Sequence, residues 1–123
     1  MRVASHRDLL VWQKAMDLVT ACYRITARFP KSETYGLASQ LQRAAVSVPA
    51  NIAEGKGRAS TGAYLQHLSI AAGSLAELDT HLGVAQRLGY VNESEVSKTT
   101  EQLEEVGRML TGLRKSLESG PNS

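Results

Sequence analysis

Hydrophobic residues recur every three or four positions through most of the chain, which is the spacing of one face of an α-helix. Short runs rich in Gly, Pro, Ser and Asn separate four such segments. The pattern predicts helices over residues 8–29, 35–56, 61–88 and 93–118, followed by a tail over residues 119–123. No segment shows the two-residue alternation of a half-buried β-strand. The sequence therefore predicts an all-α protein.

Residues that start or stop helices mark the ends of these segments. Pro30 ends the first helix, and Gly89 provides a left-handed cap after the third. Asn92 and Glu95 form the capping-box pattern that opens the fourth helix. Because short loops favour antiparallel neighbours, we expect an antiparallel up-down-up-down four-helix bundle, with residues 1–123 in a single domain.

The first predicted helix carries more apolar surface than one core-facing stripe needs. Two stripes with helical spacing run along it and together span roughly 160° of its circumference. One comprises Leu9, Trp12, Met16, Val19 and Tyr23, and the other comprises Val11, Ala15, Leu18, Cys22, Ile25 and Phe29.

A proline lies in the middle of the second predicted helix. Pro49 removes one backbone hydrogen bond and clashes with the preceding turn. It therefore either kinks one continuous helix or starts a new helix after a break. A kink is favoured, because the apolar spacing continues from Leu41 through Val48 to Ile52.

Polar residues line one face of the second helix and one face of the third. They are Arg43, Ser47, Asn51, Glu54 and Arg58 on the second helix, and His67, Ser74, Glu77 and His81 on the third. Antiparallel packing predicts a polar ladder that opposes Arg43 to Glu77 as an ion pair, Ser47 to residues 71–74, Asn51 to His67, and Glu54 to Tyr64. Small residues would let the two backbones approach closely; these are Ala44, Ala45, Ala50, Ala53, Ala72, Gly73 and Ala76.

The polar ladder has two interpretations. It either fixes the register of the two helices or forms a ligand or metal site. Di-iron bundles use inward Glu residues with Glu-x-x-His pairs, whereas Glu77 and His81 lie four residues apart. Only Glu54 and His67 could add ligands, and no second motif exists. The structural interpretation is favoured, and we expect no metal or other cofactor.

The sequence contains no readable catalytic motif. Cys22 occupies an apolar helical position, and no Ser-His-acid arrangement is apparent. The Gly-Lys-Gly segment over residues 55–57 leaves a helix, whereas a Walker loop enters a helix after a strand. We therefore expect a protein that is not an enzyme.

Composition indicates an ordinary soluble protein of 123 residues, with 42% hydrophobic and 21% charged residues. A single cysteine excludes an internal disulfide and fits a reducing compartment. Gln13, Lys14 and Asp17 interrupt any signal-peptide core. No run of roughly 18 apolar residues is present. These features predict a cytoplasmic protein with no membrane partner.

The net charge of +2 is small, but the charges are unevenly distributed. Residues 1–58 hold nine Lys and Arg against four Asp and Glu, and residues 59–123 hold five against eight. In the predicted bundle, one end collects the basic residues Arg2, Arg7, Lys14, Lys56, Arg58, Arg114 and Lys115, which we call the basic pole. Such a cluster is typical of phosphate-backbone contact, although it is also compatible with an ordinary solvated surface. Aromatic residues are scarce there, so recognition is expected to be electrostatic or based on shape.

Several phrases resemble the 23S rRNA intervening-sequence protein family, also called the four helix bundle protein family. They are DLLVWQKAMDLV, the Phe29-Pro30-x-x-Glu33-x-Tyr35-Gly36-Leu37 turn, QLQRAAVSVPANIAEGKGR and LSIAAGSLAELDTHL. The resemblance extends from about Leu9 to Leu117, and its most specific phrase is Ser-x-Pro-x-Asn-Ile-Ala-Glu-Gly.

The resemblance implies a bacterial, cytoplasmic four-helix bundle that associates side by side into a homopentameric ring. The wide apolar arc of the first helix agrees with that expectation. Some members of this family are encoded within insertions in large-subunit rRNA genes. A similar protein accompanies the reverse transcriptase of diversity-generating retroelements, where a basic pentamer binds nucleic acid and the enzyme. No catalytic activity is associated with the family, and most members have no assigned biochemical role.

The signature residues of the family are expected to have a structural role here. They match Ser47, Pro49, Asn51, Glu54, Gly55, Arg58, Gly73, Ser74 and Glu77 of this chain, and Arg43 joins them through the predicted ladder.

Three functions remain open at the level of sequence. The favoured one is a homo-oligomeric scaffold that binds nucleic acid, RNA in particular, through the basic pole. The second is a protein–protein adaptor with no nucleic-acid role. The third is an enzyme or metal site in the polar ladder.

Overall fold

A computed structural model describes residues 5–120 of the chain. Four long α-helices and two short 3₁₀ turns make up this part, and it contains no β-strand. The elements in chain order are the N-terminal turn His6–Asp8, α1 Leu10–Thr26, the α1–α2 turn Lys31–Glu33, α2 Leu37–Lys56, α3 Thr61–Arg87 and α4 Glu93–Glu118. The predicted all-α, four-helix class is confirmed. None of the helices over residues 5–120 is long and apolar enough to cross a membrane.

The first helix is shorter than its apolar spacing predicts. Leu9 has an extended backbone, with φ −78° and ψ 123°, so α1 starts at Leu10 instead of residue 8. At the other end, α1 stops at Thr26 instead of residue 29. Hydrophobic spacing continues past both ends because Leu9 and Phe29 still pack against the core from non-helical backbone.

Side-chain caps fix where α3 and α4 begin. The Ser60 hydroxyl accepts a hydrogen bond from the Ala63 N–H at 3.1 Å. Asn92 Oδ1 accepts from the Glu95 N–H at 2.9 Å, and Glu95 Oε1 accepts from the Asn92 N–H at 3.3 Å. The predicted capping box is therefore present, and it satisfies N–H groups that the first turn of a helix leaves unpaired. Gly89, after α3, has φ +76°, as predicted for a left-handed cap.

The helices form an antiparallel bundle in which α1 and α3 each contact both α2 and α4. Lys14, near the start of α1, lies 3.5 Å from Glu105 at the middle of α4. Arg28, just after α1, pairs with Glu95 in the first turn of α4. The starts of α1 and α3 therefore lie at the same end of the bundle as the ends of α2 and α4.

Each helix contributes one apolar stripe to the core. Its largest fully buried side chains include Leu18 of α1, Leu41 and Ile52 of α2, Leu82 of α3 and Leu110 of α4. Burial of one such side chain stabilises the fold by about 1.5–3 kcal/mol.

Helix α2 continues through Pro49, so the interpretation that places a break there is wrong. Pro49 is itself buried, and Leu41, Val48 and Ile52 are fully buried on one face of α2. The same face of α2 therefore packs against the core before and after Pro49, although Pro49 cannot donate a backbone hydrogen bond.

Glu33 joins the α1–α2 turn to the segment between α3 and α4, at the end of the bundle opposite the basic pole. The Tyr90 hydroxyl donates to Glu33 Oε2 at 2.8 Å, and the Leu37 N–H donates to Oε1 at 3.2 Å. The hydrogen bond from Tyr90, followed by that from Leu37, holds the pKa of Glu33 below its usual value. The Tyr90 ring also packs against Phe29, with centroids 5.5 Å apart and an interplanar angle of 48°.

Candidate nucleic-acid interface

The polar ladder between α2 and α3 is a continuous chain of hydrogen bonds. The Ser47 and Ser74 hydroxyls lie 2.8 Å apart, and Asn51 Nδ2 donates to the Ser47 carbonyl at 2.9 Å and to its Oγ at 3.1 Å. Asn51 Oδ1 lies 3.1 Å from His67 Nδ1. Arg58 Nε donates to His67 Nε2 at 3.3 Å. The predicted contacts of Ser47 and Asn51 are confirmed.

These partners determine the tautomer of His67. Because the Asn51 amide nitrogen is directed to Ser47, its oxygen faces His67 Nδ1, which must then donate. The other ring nitrogen accepts from Arg58 and so carries no proton. The ladder ends at the Arg58 guanidinium, which lies at the basic pole.

The predicted ion pair between Arg43 and Glu77 is wrong. Glu77 Oε2 lies 3.3 Å from His81 Nε2, one turn further along the same helix. Arg43 is exposed on α2 and forms no ion pair with any of residues 5–120. The Glu77 side chain is 61% exposed, and a solvated pair across two helices gains too little to hold two long side chains together.

Glu54 also departs from its predicted partner. Its carboxylate lies 3.8 Å from the Arg58 guanidinium and 3.6 Å from His67 Nδ1. Tyr64, the predicted partner, instead packs against the neighbouring Gly55. Glu54 therefore lies among the polar groups at the end of the ladder.

The close approach of α2 and α3 occurs at Gly55. A Cβ atom there would lie 2.9 Å from Tyr64 Cδ1, 3.0 Å from His67 Cβ and 3.2 Å from the Tyr64 carbonyl oxygen. Gly73 was expected to serve the same purpose, but a Cβ atom at Gly73 would meet nothing within 4 Å. Of these two glycines, only Gly55 is required by contact between the helices.

The polar ladder satisfies its own hydrogen-bonding groups. No buried side-chain nitrogen or oxygen in residues 5–120 lacks a partner. In the same part of the chain, no three His, Cys, Asp or Glu side chains lie close enough together to hold a metal ion. Burial raises the pKa of the Cys22 thiol to about 12, so the reactive thiolate is scarce at neutral pH. These contacts favour the register-fixing role for the ladder.

The basic pole draws its residues from different helix ends. Arg7 precedes α1, Lys56 and Arg58 lie at the end of α2, and Arg114 and Lys115 lie near the end of α4. The antiparallel arrangement brings these positions to one end of the bundle. The predicted residue Arg2 lies outside the described residues.

Acidic neighbours offset part of the charge of the basic pole. Lys14 pairs with Glu105 at 3.5 Å, and Arg58 lies 3.8 Å from Glu54. Between 40% and 60% of each of these side chains is exposed to solvent. Exposed pairs of this kind are weak, so Lys14 and Arg58 remain accessible to a stronger anion.

Two open grooves flank α4, and sequence reasoning identified neither. One, of about 510 Å³, lies between α3 and α4 and brings Asp79 and Arg108 beside Arg114. The other, of about 990 Å³, lies between α1 and α4 and carries residues of both charges, including Arg24 and Glu101. Spacing along one helix does not reveal them, because each groove needs residues from two helices.

Two further residues at the basic pole were also missed. Trp12 and His6 meet with ring centroids 5.1 Å apart, and Trp12 lies beneath the Arg7 guanidinium. This cluster depends on the N-terminal turn, which hydrophobic spacing does not predict. The only available signal was Ser5, followed three residues later by Asp8 in a capping-box pattern.

The fold is an all-α four-helix bundle. The hydrogen bonds of the polar ladder join α2 to α3 within it. The family model described as 23S rRNA-intervening sequence protein matches residues 7–112. The chain therefore belongs to this family, as the phrases of its sequence suggest.

A solved structure shares the fold. It is a protein with unknown function from the S23 ribosomal protein family of Bacteroides thetaiotaomicron, and it is 19% identical in sequence with a TM-score of 0.78. The match covers 86% of this chain and 99% of that one. No curated protein sequence matches the chain.

Proposed function

We propose that this protein is a non-enzymatic scaffold that binds RNA through its basic pole and acts as a homo-oligomer. The proposal rests on a cluster of basic residues at one end of the bundle, which are Arg7, Lys56, Arg58, Arg114 and Lys115. Membership of a family named for an rRNA intervening sequence favours RNA over other polyanions.

Contact with phosphate groups is the interaction that this surface supports best. Arg7, Arg58 and Lys115 are exposed. Each phosphate that such a side chain neutralises releases counterions from the nucleic acid, which makes binding favourable and sensitive to salt. The contact carries little sequence information by itself.

Self-association would use the apolar stripe of α1 that carries Met16 and Tyr23, because the other stripe is buried in the core. Gln42 Nε2 of α2 donates to Thr26 Oγ1 of α1 at 2.9 Å, which fixes the register of these helices. Tyr23 lies three residues before Thr26, and Val46 lies four residues after Gln42. Because α1 and α2 are antiparallel, Tyr23 and Val46 therefore lie on the same side of the bundle as this bond and at a similar position along its axis.

Exposed apolar area continues from this point along α1. Met16 is two turns before Tyr23 on the same side of the helix. Met16, Tyr23 and Val46 are 41%, 47% and 42% exposed, respectively. An apolar strip across two helices favours a protein partner, and a second copy of the chain is the partner that we propose. A ring would repeat the basic pole, so one RNA could contact several poles and bind more tightly. The resemblance leads us to expect five subunits.

Charge reversal at the basic pole tests RNA binding directly. The variant Lys56→Glu with Arg58→Glu should weaken retention of a structured RNA by about tenfold or more and lower the salt slope of log K by about two. A matched variant at the opposite end, Lys31→Glu with Arg87→Glu, should bind as the unchanged protein does. Thermal unfolding checks that both variants fold. If both variants weakened RNA retention equally, the basic pole would not be the RNA-binding surface.

A protein–protein adaptor is the second candidate, and a separate observation favours it. Tyr35 and Leu88 are 95% and 55% exposed at the end of the bundle opposite the basic pole. Large exposed apolar side chains of this kind suit a protein partner. Under this alternative, a partner protein remains bound through nuclease treatment and is lost on Tyr35→Ser with Leu88→Ser.

A further inference from the structure

Trp12 lies at the basic pole with one cationic and one aromatic neighbour. The Arg7 guanidinium carbon lies 5.7 Å from the centroid of the Trp12 ring. The His6 ring approaches Trp12 edge-on, with centroids 5.1 Å apart and an interplanar angle of 64°. Arg7 is exposed, whereas His6 and Trp12 are half-buried. We call these three residues the stacking cluster.

The backbone of the cluster is fixed on both sides of Arg7. The Ser5 hydroxyl accepts from the Arg7 N–H at 3.2 Å, and Gln13 Nε2 donates to the Arg7 carbonyl at 2.8 Å. Asp8 Oδ2 accepts from the Ser5 N–H at 3.3 Å, which completes the capping box. Trp12 packs against the hydrophobic core. Because these groups are held before any ligand arrives, less conformational entropy is lost when one binds.

The cluster also lies beside further cations. The N-terminal turn contacts α2 as well as α1. Since α1 and α2 are antiparallel, the part of α2 nearest this turn is its C-terminal end, which carries Lys56 and leads to Arg58. A stacking surface and two phosphate-binding side chains therefore share one edge of the basic pole.

We infer that the stacking cluster binds an unpaired RNA base. The base stacks on the Arg7 guanidinium plane, which Trp12 supports from below, while Lys56 and Arg58 contact the flanking phosphates. Unpaired bases stack on aromatic rings and on guanidinium planes, whereas the bases of a duplex remain stacked on each other. The protein therefore prefers single-stranded or looped RNA to a duplex. This inference rests on the proposed function and extends it, because a basic pole alone predicts no such preference.

Trp12 is the only tryptophan in the chain, so its fluorescence reports on the cluster. The full chain is titrated with an oligouridylate of about 12 nucleotides and with an RNA duplex of the same length at the same salt concentration. We expect saturable quenching by the oligouridylate and an affinity about fivefold or more above that for the duplex. RNA binding without a fluorescence change, or with equal affinity for the duplex, would overturn the inference and leave the proposed function intact. Failure to bind either RNA would overturn both.

A conservative variant separates stacking from charge and from packing. Arg7→Lys keeps the positive charge but removes the planar group, so we expect about a fivefold loss of affinity for the oligouridylate with an unchanged salt slope. Arg87→Lys, at the opposite end of the bundle, is the matched control and should bind as the unchanged protein does. Circular dichroism confirms that both variants are folded. Oligouridylate binding by Arg7→Lys at unchanged affinity would contradict the inference.

Discussion

Within the polar ladder, short half-buried side chains form hydrogen bonds between α2 and α3, whereas the long exposed Glu77 side chain contacts its own helix. Ser47 and Asn51 are short side chains on one helix face, and their partners follow from the helical repeat and the position of the loop. Arg43 and Glu77 have long, exposed side chains that can adopt many conformations. Glu77 contacts His81 on its own helix. Sequence spacing therefore predicts the contacts of short, half-buried polar side chains, but it does not predict those of long, exposed ones.

Two glycines of the family signature are expected to respond oppositely to alanine. Gly55→Ala places a methyl group against Tyr64 and His67 at 2.9–3.0 Å, so the helices must separate at a cost of about 1–3 kcal/mol. Gly73→Ala meets no atom within 4 Å and should stabilise the protein by about 1 kcal/mol through helix propensity. Urea unfolding of both variants measures the difference. Similar effects in the two variants would show that close packing at Gly55 is not the reason for its presence.

Cys22 is expected to be unreactive until the protein unfolds. Its side chain is fully buried, and burial raises its pKa from 9.0 to about 12. A thiol reagent at about pH 8 should therefore modify the chain only at the rate of unfolding. Between pH 9.0 and about 12 the unfolded chain loses this proton before the folded one, so Cys22 makes stability fall as pH rises. Rapid modification of the folded chain without denaturant would contradict the buried position.

At the scale of helices, hydrophobic periodicity predicts that a helix exists, whereas capping residues predict where it begins. Periodicity identifies the four helices, but it overestimates α1, because Leu9 and Phe29 contact the core from outside the helix. Caps locate a helix start more closely, as Asn92 and Glu95 do for α4. The N-terminal turn was not predicted because a single turn is too short to show a hydrophobic period. The stacking cluster depends on that turn and was missed with it.

The capping box of α4 provides the test at this scale. Asn92→Ala leaves the Glu95 N–H without its side-chain acceptor, which should cost about 1 kcal/mol of unfolding free energy. Ser94→Ala, on an exposed residue of the same turn, is the matched control and should have an effect below about 0.5 kcal/mol. Thermal unfolding of both variants makes the comparison. Equal stabilities would show that the cap contributes nothing to α4.

At the scale of the whole molecule, charge and exposed apolar surface occupy different parts of the bundle. The basic pole lies at one end, whereas Met16, Tyr23 and Val46 follow the outer side of α1 and α2. Self-association through that side would leave the pole open. A ring of such subunits would present several basic poles to one RNA, and binding would be multivalent.

Disruption of the apolar strip should therefore affect both mass and affinity. Val46→Glu adds a charge to the strip without touching the basic pole, so we expect smaller assemblies and weaker retention of a long structured RNA. Ser97→Glu, on an exposed residue of α4, adds the same charge elsewhere and is the matched control. Unchanged assemblies in Val46→Glu would show that subunits meet through another surface.

Homo-oligomeric RNA binding is tested most directly by the native mass of the assembly, measured with and without a structured RNA at low salt. We expect a multiple of the 13.3 kDa chain that gains the mass of bound RNA and loses it as salt is raised. A 13.3 kDa monomer that gains no mass in the presence of RNA would contradict this expectation.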